Sequence, residues 1–156
     1  DEAAVIAALD EGQLSAYVCD FPAPSLNRHP RTIALPHLGA STGEAEENCA
    51  VMVADEVRDY LLDGTIRNSV NFPDVDLPRA SPHRVAIANA NVPNMVGQIS
   101  GTMAEAGLNI ATMTNKSRGD LAYTLVDVDS EVSEEVIEKI AKIDGVLSVR
   151  YLPTEG

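Results

Sequence analysis

Aromatic side chains are scarce in this sequence of 156 residues: they make up 4% of it, and tryptophan is absent. A core must therefore be built from aliphatic side chains and methionine, for which an apolar fraction of 45% is sufficient. The sequence also lacks an apolar run long enough to cross a bilayer. We therefore expect a cytoplasmic location, with no membrane span and no signal peptide.

Basic residues are few as well, with 11 Lys and Arg against 24 Asp and Glu, which gives a formal net charge of −13. Such a surface repels phosphate backbones and anionic lipids, so we expect no nucleic-acid or membrane partner. The two cysteines, Cys19 and Cys49, have neither CxxC nor zinc spacing. Reduced thiols are expected, although the sequence leaves a disulfide open, and no metal site is predicted.

The first part of the chain is predicted to be an α/β unit too short to be complete. The predicted elements are a helix over 1–11, a strand over 15–21, a loop over 21–30, a strand over 31–35 and a helix from 41 to about 63. Ser41 with Glu44 three residues later indicates a capping box, and the long helix carries one apolar stripe. Because the chain opens without Met and directly in a helical pattern, we expect it to begin inside a larger protein.

Residues 65–82 are predicted to be an extended linker, because three prolines and several acids occur there with little periodicity. This predicts two domains, 1–82 and 83–156. The second is α+β, with the order β-α-β-β-α-β of a ferredoxin-like fold. Its predicted elements are strands over 85–90, 108–114, 121–128 and 146–152, helices over 94–106 and from the cap Ser133, and a turn over 116–120. So small a core favours pairing with a second copy.

Polar residues gather where the first strand of the second domain turns into its helix. Asn89 and Asn91 offer donors and acceptors, and the amides around 95–97 are free at a helix start. Helix amides binding a carboxylate and asparagine carbonyls binding an ammonium would hold an α-amino acid. Asn109 is a third polar group near the sheet. From the residues alone, the interpretation of these asparagines as turn and cap residues is favoured over a binding site.

The stretch from Asn89 to Gly97, with 107–110, 115–118, 122–124 and 145–146, resembles the ACT domain at the C-terminus of D-3-phosphoglycerate dehydrogenases. The resemblance covers about residues 83–153. It implies binding of L-serine or another small amino acid as effector, between two copies whose sheets lie side by side, and hence at least a dimer. The effector-binding residues it implies are Asn89, Asn91, Met95, Val96 and Asn109. Asn94 departs from the family, which often has Gly at that position.

Residues 35–42, Leu-Pro-His-Leu-Gly-Ala-Ser-Thr, resemble the catalytic-histidine motif of NAD-dependent D-2-hydroxyacid dehydrogenases. The resemblance implies that His37 exchanges a proton with the substrate hydroxyl while hydride moves to NAD. It places Asp20, Gly39 and Ala40 with His37 at the cofactor. The family pairs its histidine with a Glu, but the residue at the expected spacing from Asp20 is Ser25. Residues 67–73 resemble the family's link into the ACT domain.

The sequence has neither a GxGxxG turn nor an upstream Arg for the substrate carboxylate. We therefore expect a part of an NAD-dependent 3-phosphoglycerate dehydrogenase, the first enzyme of L-serine biosynthesis, that is inactive alone and unlikely to bind NAD by itself. Two alternatives stay open: a stand-alone amino-acid-binding ACT module, and a D-2-hydroxyacid dehydrogenase with another substrate.

Overall fold

The computed structural model describes residues 1–154 and contains a two-stranded sheet and a four-stranded sheet. The chain divides into two units, Asp1–Ala50 and a second that begins at Val51. Residues 155 and 156, which belong to the predicted second domain, lie outside the described residues.

The first unit places one short helix before each of two short parallel strands. The elements are α1 (Glu2–Asp10), β1 (Tyr17–Cys19), α2 (Pro24–Asn27) and β2 (Thr32–Ala34). The Asp1 carboxylate caps α1 by accepting from two first-turn amides. The loop predicted over 21–30 is wrong in part, because Pro24 begins a helical turn, where its fixed φ is favourable. Both cysteines are free thiols.

Helix α3 (Gly43–Asp63) is the longest helix among the described residues. Its predicted capping box is wrong: the hydroxyl of Thr42, not Ser41, accepts from the amide of Ala45 at 3.1 Å. Glu44 therefore lies one position too early to reach back to the cap. None of the residues of α3 is buried within the described part of the chain, so its apolar stripe is exposed, with Val57 at 50%.

The second unit contains a four-stranded antiparallel sheet and two helices, as predicted. The elements are β3 (His83–Ala90), α4 (Met95–Glu105), β4 (Ile110–Arg118), β5 (Leu121–Val128), α5 (Glu134–Ala141) and β6 (Val146–Pro153), with the strand order β4-β5-β3-β6. This is the predicted α+β ferredoxin-like arrangement.

The turn predicted over 116–120 is wrong, because β4 continues to Arg118 and leaves only Gly119 and Asp120 between the strands. Gly119 has φ +57°, which a two-residue hairpin loop requires. Ser133 is the N-cap of α5 as predicted, but its side chain makes no cap hydrogen bond.

Each face of this sheet has its own apolar cluster. The face under α4 and α5 buries Val85, Ile87, Ile99 and Ile140 with several other side chains. The opposite face carries residues 64–77, hereafter the covering segment, which were predicted to be part of an extended linker. Instead they pack on the sheet and bury their own apolar side chains against it: the second cluster contains Ile66, Val75, Ala86, Tyr123, Leu125 and Leu152.

Backbone contacts hold the covering segment in place. Ile66 and Val75 exchange two backbone hydrogen bonds of 2.8 and 2.9 Å. From β4, Lys116 donates to the carbonyl of Asp74 at 3.0 Å and Arg118 to that of Ser69 at 2.8 Å. Lys116 and Arg118, which the predicted turn over 116–120 included, thus attach the segment to the edge of the sheet. Within the described residues, none of the helices is both long and apolar enough to span a membrane.

Candidate functional site

A small hollow of about 130 Å³ lies where β3 ends and α4 begins. It is lined by four of the predicted effector-binding residues together with their neighbours: Asn89, Ala90, Asn91, Val92, Asn94, Met95, Val96, Gly97, Asn115 and Ala122. We call it the asparagine pocket. No charged side chain is among these lining residues, so the pocket is matched in charge to a ligand of zero net charge, such as a zwitterion.

The backbone of the turn is fixed from two sides. Asn94 has φ +66°, the left-handed conformation that asparagine tolerates better than most residues. Asn91 is bound to the β4–β5 hairpin, since its amide donates to the carbonyl of Asp120 at 2.9 Å and its side-chain Nδ2 to that of Gly119 at 3.0 Å. The departure at Asn94 therefore leaves the turn intact, and Asn91 keeps its Oδ1 as an acceptor.

Asn89 is held in one orientation by a chain of side-chain hydrogen bonds. Asn115 donates to the hydroxyl of Thr124 at 2.7 Å, and that hydroxyl donates to Oδ1 of Asn89 at 3.3 Å. Nδ2 of Asn89 donates to the carbonyl of Ala90 at 2.7 Å. Because its carbonyl oxygen is engaged and the residue is only 1% exposed, Asn89 offers an N–H rather than the predicted acceptor.

The start of α4 supplies the remaining donors. The first backbone hydrogen bond of α4 is donated by the amide of Gln98 and accepted by the carbonyl of Asn94, at 3.0 Å. The amides of Met95, Val96 and Gly97 therefore have no acceptor within their own helix. Together with the positive end of the helix dipole, they suit a carboxylate, while Oδ1 of Asn91 suits an ammonium.

Asn109 lies outside this pocket, at the opposite end of the sheet. Its backbone carbonyl accepts from Asp129, and the next residue, Ile110, pairs with Val128. Asn89, in contrast, pairs with Ala122, near the other end of β5. Within one chain, the structure brings together Asn89, Asn91, Met95 and Val96 but not Asn109.

Asn115 and Thr124 were missed as site residues. They are direct cross-strand partners in the β4–β5 register, and a hairpin turn placed at Gly119-Asp120 would have paired them. The turn predicted over 116–120 ended β4 too early and hid that pairing.

A second group of predicted residues lies in the first unit. Nδ1 of His37 is 2.8 Å from an Asp20 carboxylate oxygen, and the ring of Phe21 contacts the His37 ring edge-on. The imidazole is 68% exposed. A carboxylate on one nitrogen orients the ring and leaves the other nitrogen for proton transfer. Asp20 thus makes the contact with the histidine that the family resemblance assigned to a Glu.

The other residues predicted at the cofactor lie beside this pair in sequence. Gly39 and Ala40 form an exposed turn just after His37. Ser25 instead donates to a carboxylate oxygen of Glu2 at 2.8 Å. Asp20, His37, Gly39 and Ala40 are all exposed, and the sequence around them has no glycine-rich turn for a pyrophosphate, so they do not by themselves hold a dinucleotide.

Comparison with curated proteins gives one consistent group of relatives. The chain is 34% identical to D-3-phosphoglycerate dehydrogenase of Dictyostelium discoideum over 81% of its own length and 31% of the relative. It is 33% identical to the enzyme of that name from Haemophilus influenzae, over 85% of the chain and 32% of the relative. The chain therefore spans about a third of the length of these relatives. No family model matches it.

Among solved structures, the ACT domain from GTP pyrophosphokinase of Chlorobium tepidum matches 45% of this chain and 95% of its own, with a TM-score of 0.40 and 19% identity. The regulatory subunit of aspartate kinase from Thermus thermophilus matches 45% of this chain and 50% of its own, with a TM-score of 0.37 and 15% identity.

Proposed function

We propose that this chain is the C-terminal part of a D-3-phosphoglycerate dehydrogenase, because it matches that part of the curated enzymes of this name, and that its second unit is the amino-acid sensor of the enzyme. The ligand is L-serine, bound in the asparagine pocket. The observation that supports this most is the uncharged lining, which includes both Asn91 and the first residues of α4, whose amides have no acceptor within the helix. That pair of opposite polarities suits the carboxylate and ammonium of a small zwitterion.

We propose further that a second copy completes the site. Asn115, in the last part of β4, lines the pocket, whereas Asn109 precedes the first residue of the same strand. In the described chain β4 is an edge strand, with β5 on one side only. An antiparallel pairing of two β4 strands would place Asn109 of one copy beside the pocket of the other. Such pairing also covers an open strand edge, so we expect a dimer or larger assembly.

Thermal unfolding with L-serine tests the sensor. A ligand at about 100 times its Kd stabilises a folded state by about 2.7 kcal/mol, so we expect the Tm to rise by several degrees. N-acetyl-L-serine, which lacks the ammonium, should produce no rise. Asn91→Ala should weaken the response. If no amino acid at millimolar concentration shifts the Tm, the sensor proposal is wrong.

Asn109→Ala separates a site within one chain from a shared site. Asn109 is exposed and distant from the asparagine pocket of its own chain, so its loss should leave the fold unchanged. If the site is shared, the variant loses the serine response while sedimentation still shows a dimer. An unchanged response would disprove the two-copy site and leave the one-chain pocket standing.

We propose that the first unit takes part in hydride transfer in the whole enzyme. That enzyme would be cytoplasmic and would catalyse the first step of L-serine synthesis. NAD would accept the hydride in that enzyme. His37 would take the proton of the substrate hydroxyl, with Asp20 orienting its ring and Gly39 and Ala40 near the cofactor. The chain as given should produce no NADH from 3-phosphoglycerate and NAD, because it does not enclose a dinucleotide. Turnover by this chain would contradict that view.

A further inference from the structure

One residue that lines the asparagine pocket, Asn115 of β4, was not among the predicted site residues. Asn115 and Thr124 are cross-strand partners, so their side chains lie on the same face of the sheet. Asn115 is exposed and lines the pocket, whereas Thr124 is 0% exposed and does not line it. The side-chain amide of Asn115 is therefore within reach of a molecule bound in the pocket.

The orientation of the Asn89 amide is fixed by a main-chain carbonyl. The carbonyl of Ala90 can only accept, so the Asn89 atom that lies 2.7 Å from it must be Nδ2. Oδ1 of Asn89 is then the atom near the Thr124 hydroxyl, at 3.3 Å. Since both atoms are oxygens, the hydroxyl proton must lie between them, and Thr124 is the donor.

The same reasoning orients Asn115. The Thr124 hydroxyl has one proton, which it donates to Asn89, so it can only accept from Asn115. The Asn115 atom that lies 2.7 Å from this hydroxyl must therefore be Nδ2. With Oδ1 in that place, two oxygens without a proton between them would face each other beside a buried side chain, which is unfavourable. The Ala90 carbonyl thus determines, through Asn89 and Thr124, which end of the Asn115 amide points to Thr124.

This orientation leaves Oδ1 of Asn115 with both lone pairs free, since none of the described residues donates to it. Asn91 lines the same pocket and also keeps its Oδ1 free, because its Nδ2 donates to the carbonyl of Gly119. An α-ammonium has three N–H donors, and Asn91 alone would leave two of them without an acceptor in the pocket. The oxygen of Asn115 supplies a second acceptor.

The carboxylate of an amino acid has a better place in the same pocket. At Asn115 it would meet an amide oxygen, whereas the amides of the first residues of α4 present donors only. The two ends of a zwitterion are therefore distinguished by the pocket, with the ammonium on the side of Asn115.

We propose that Asn115 is a ligand-binding residue whose Oδ1 accepts a hydrogen bond from the α-ammonium of the bound amino acid. Thr124 is the positioning residue that keeps this oxygen turned away from the interior of the sheet. The assignment rests on the proposed function, because it concerns the same pocket and the same class of ligand. It makes the ammonium a requirement for binding, which the amides of α4 alone would not do.

Calorimetric titration of the full chain with L-serine tests the contact. Asn115→Leu has no acceptor and should raise the Kd by on the order of tenfold, as expected for a hydrogen bond to a charged group. Asn115→Asp keeps an oxygen and adds a charge opposite to that of the ammonium, so the Kd should not rise. Ser117→Ala is the matched control, because it removes a polar side chain of the same strand that does not line the pocket; its Kd should equal that of the parent chain.

A pair of variants tests the role of Thr124. Thr124→Val is nearly isosteric but neither accepts from Asn115 nor donates to Asn89, so the Asn115 amide can turn and the Kd should rise several-fold. Thr124→Ser restores the hydroxyl and should restore the Kd, which a merely structural loss in the valine variant would not explain. Because Asn115 is exposed, its variants should fold whatever the stability of Thr124→Val.

The outcomes separate this assignment from the sensor proposal. If the parent chain binds no L-serine, both are wrong. If the parent chain binds and Asn115→Leu binds equally well, only the role of Asn115 is wrong. A Kd that rises as much in Asn115→Asp as in Asn115→Leu would show that the group beside Asn115 is not the ammonium. Equal Kd values for Thr124→Val and the parent chain would show that Thr124 does not position the contact.

Discussion

The Asp127 carboxylate accepts hydrogen bonds from two nitrogens of the Arg84 guanidinium in the interior of the second unit. Nε lies 2.6 Å from one carboxylate oxygen and a terminal nitrogen 2.8 Å from the other, and both side chains are 0% exposed. The amide of Ala80 also donates to Asp127, and Arg84 donates to the carbonyl of Asp63. The pair therefore links β3 to β5, and it also binds the residues just before and just after the covering segment, Asp63 and Ala80.

Breaking this pair should be costly, because the remaining charge would be buried alone. We expect Asp127→Ala to lower the free energy of unfolding by about 3–5 kcal/mol. Asp144→Asn, at an exposed position, should change it by less than about 0.5 kcal/mol. Urea unfolding followed by circular dichroism measures both. If Asp127→Ala lies within about 1 kcal/mol of the parent chain, the pair is not a structural requirement.

Gly64 and Gly119 both have positive φ, +70° and +57°, but only Gly64 is enclosed. A Cβ at Gly64 would lie 2.9 Å from a methyl of Leu125 and 3.2 Å from the Tyr123 hydroxyl, whereas a Cβ at Gly119 meets nothing within 4 Å. Gly119→Ala should therefore cost only the backbone penalty of about 1–2 kcal/mol. Gly64→Ala should cost clearly more. Equal losses in urea unfolding would show that the enclosure of Gly64 has no energetic effect.

Gly97 and Asn94 should be coupled. A Cβ at Gly97 would lie 2.5 Å from Oδ1 of Asn94, so Gly97→Ala must displace that side chain. Asn94→Gly removes the obstacle and suits the left-handed backbone. We expect Gly97→Ala to destabilise the parent chain but to be neutral or stabilising, by up to about 1 kcal/mol, in the Asn94→Gly background. A double-mutant cycle measures the coupling, and additive effects would contradict it.

Tyr123 should make the second unit sensitive to alkali. Burial raises its pKa well above the ordinary value of 10.0, because the phenolate would lose its hydration. Below pH 10 both the folded and the unfolded state keep the proton, and the stabilisation is fully present. Above pH 10 the unfolded state releases it first, so the free energy of unfolding falls by about 1.4 kcal/mol per pH unit.

The comparison with Tyr123→Phe isolates this effect. Both chains lose stability in alkali through their other groups, but the variant should lose less between pH 8 and about pH 11. Urea unfolding at the two pH values gives the difference. Equal losses would mean that Tyr123 titrates normally in the folded protein.

The order of elements in the second unit was predictable, since helical and strand periodicities alternate there between clear turn residues. Asn94, which stands where the family often has Gly, adopts a φ of +66°, so this departure was visible in the sequence and its conformation was not. The covering segment was not predictable: Ile66 and Val75 are isolated among prolines and acids, so no period marks them as buried. The burial of Arg84 was hidden for a related reason, since its partner Asp127 lies 43 residues away.

The part of the candidate site formed by the turn from β3 to α4 could be predicted, because Asn89, Asn91 and the helix amides are neighbours in sequence. The hydrogen bonds of Asn115 and Thr124 depend on the register between β4 and β5. Because the hairpin turn was predicted at the wrong residues, that register was predicted wrongly as well. The position of Asn109 relative to the pocket depends on how copies pair, and one sequence does not contain that information. The roles of all these residues in ligand binding stay predictions until the serine titrations are done.

The two side chains that attach the covering segment to β4 both come from the strand, and both end on main-chain oxygens, those of Ser69 and Asp74. Replacing Ser69 or Asp74 deletes a side chain but leaves each acceptor in place. These two hydrogen bonds therefore depend on the side chains of Lys116 and Arg118 and not on those of the segment. The side chains of Ser69 and Asp74 instead accept from the amides of Phe72 and Asn68 within the segment. Substitutions at positions 69 and 74 would therefore loosen the turns of the segment rather than its two bonds to β4.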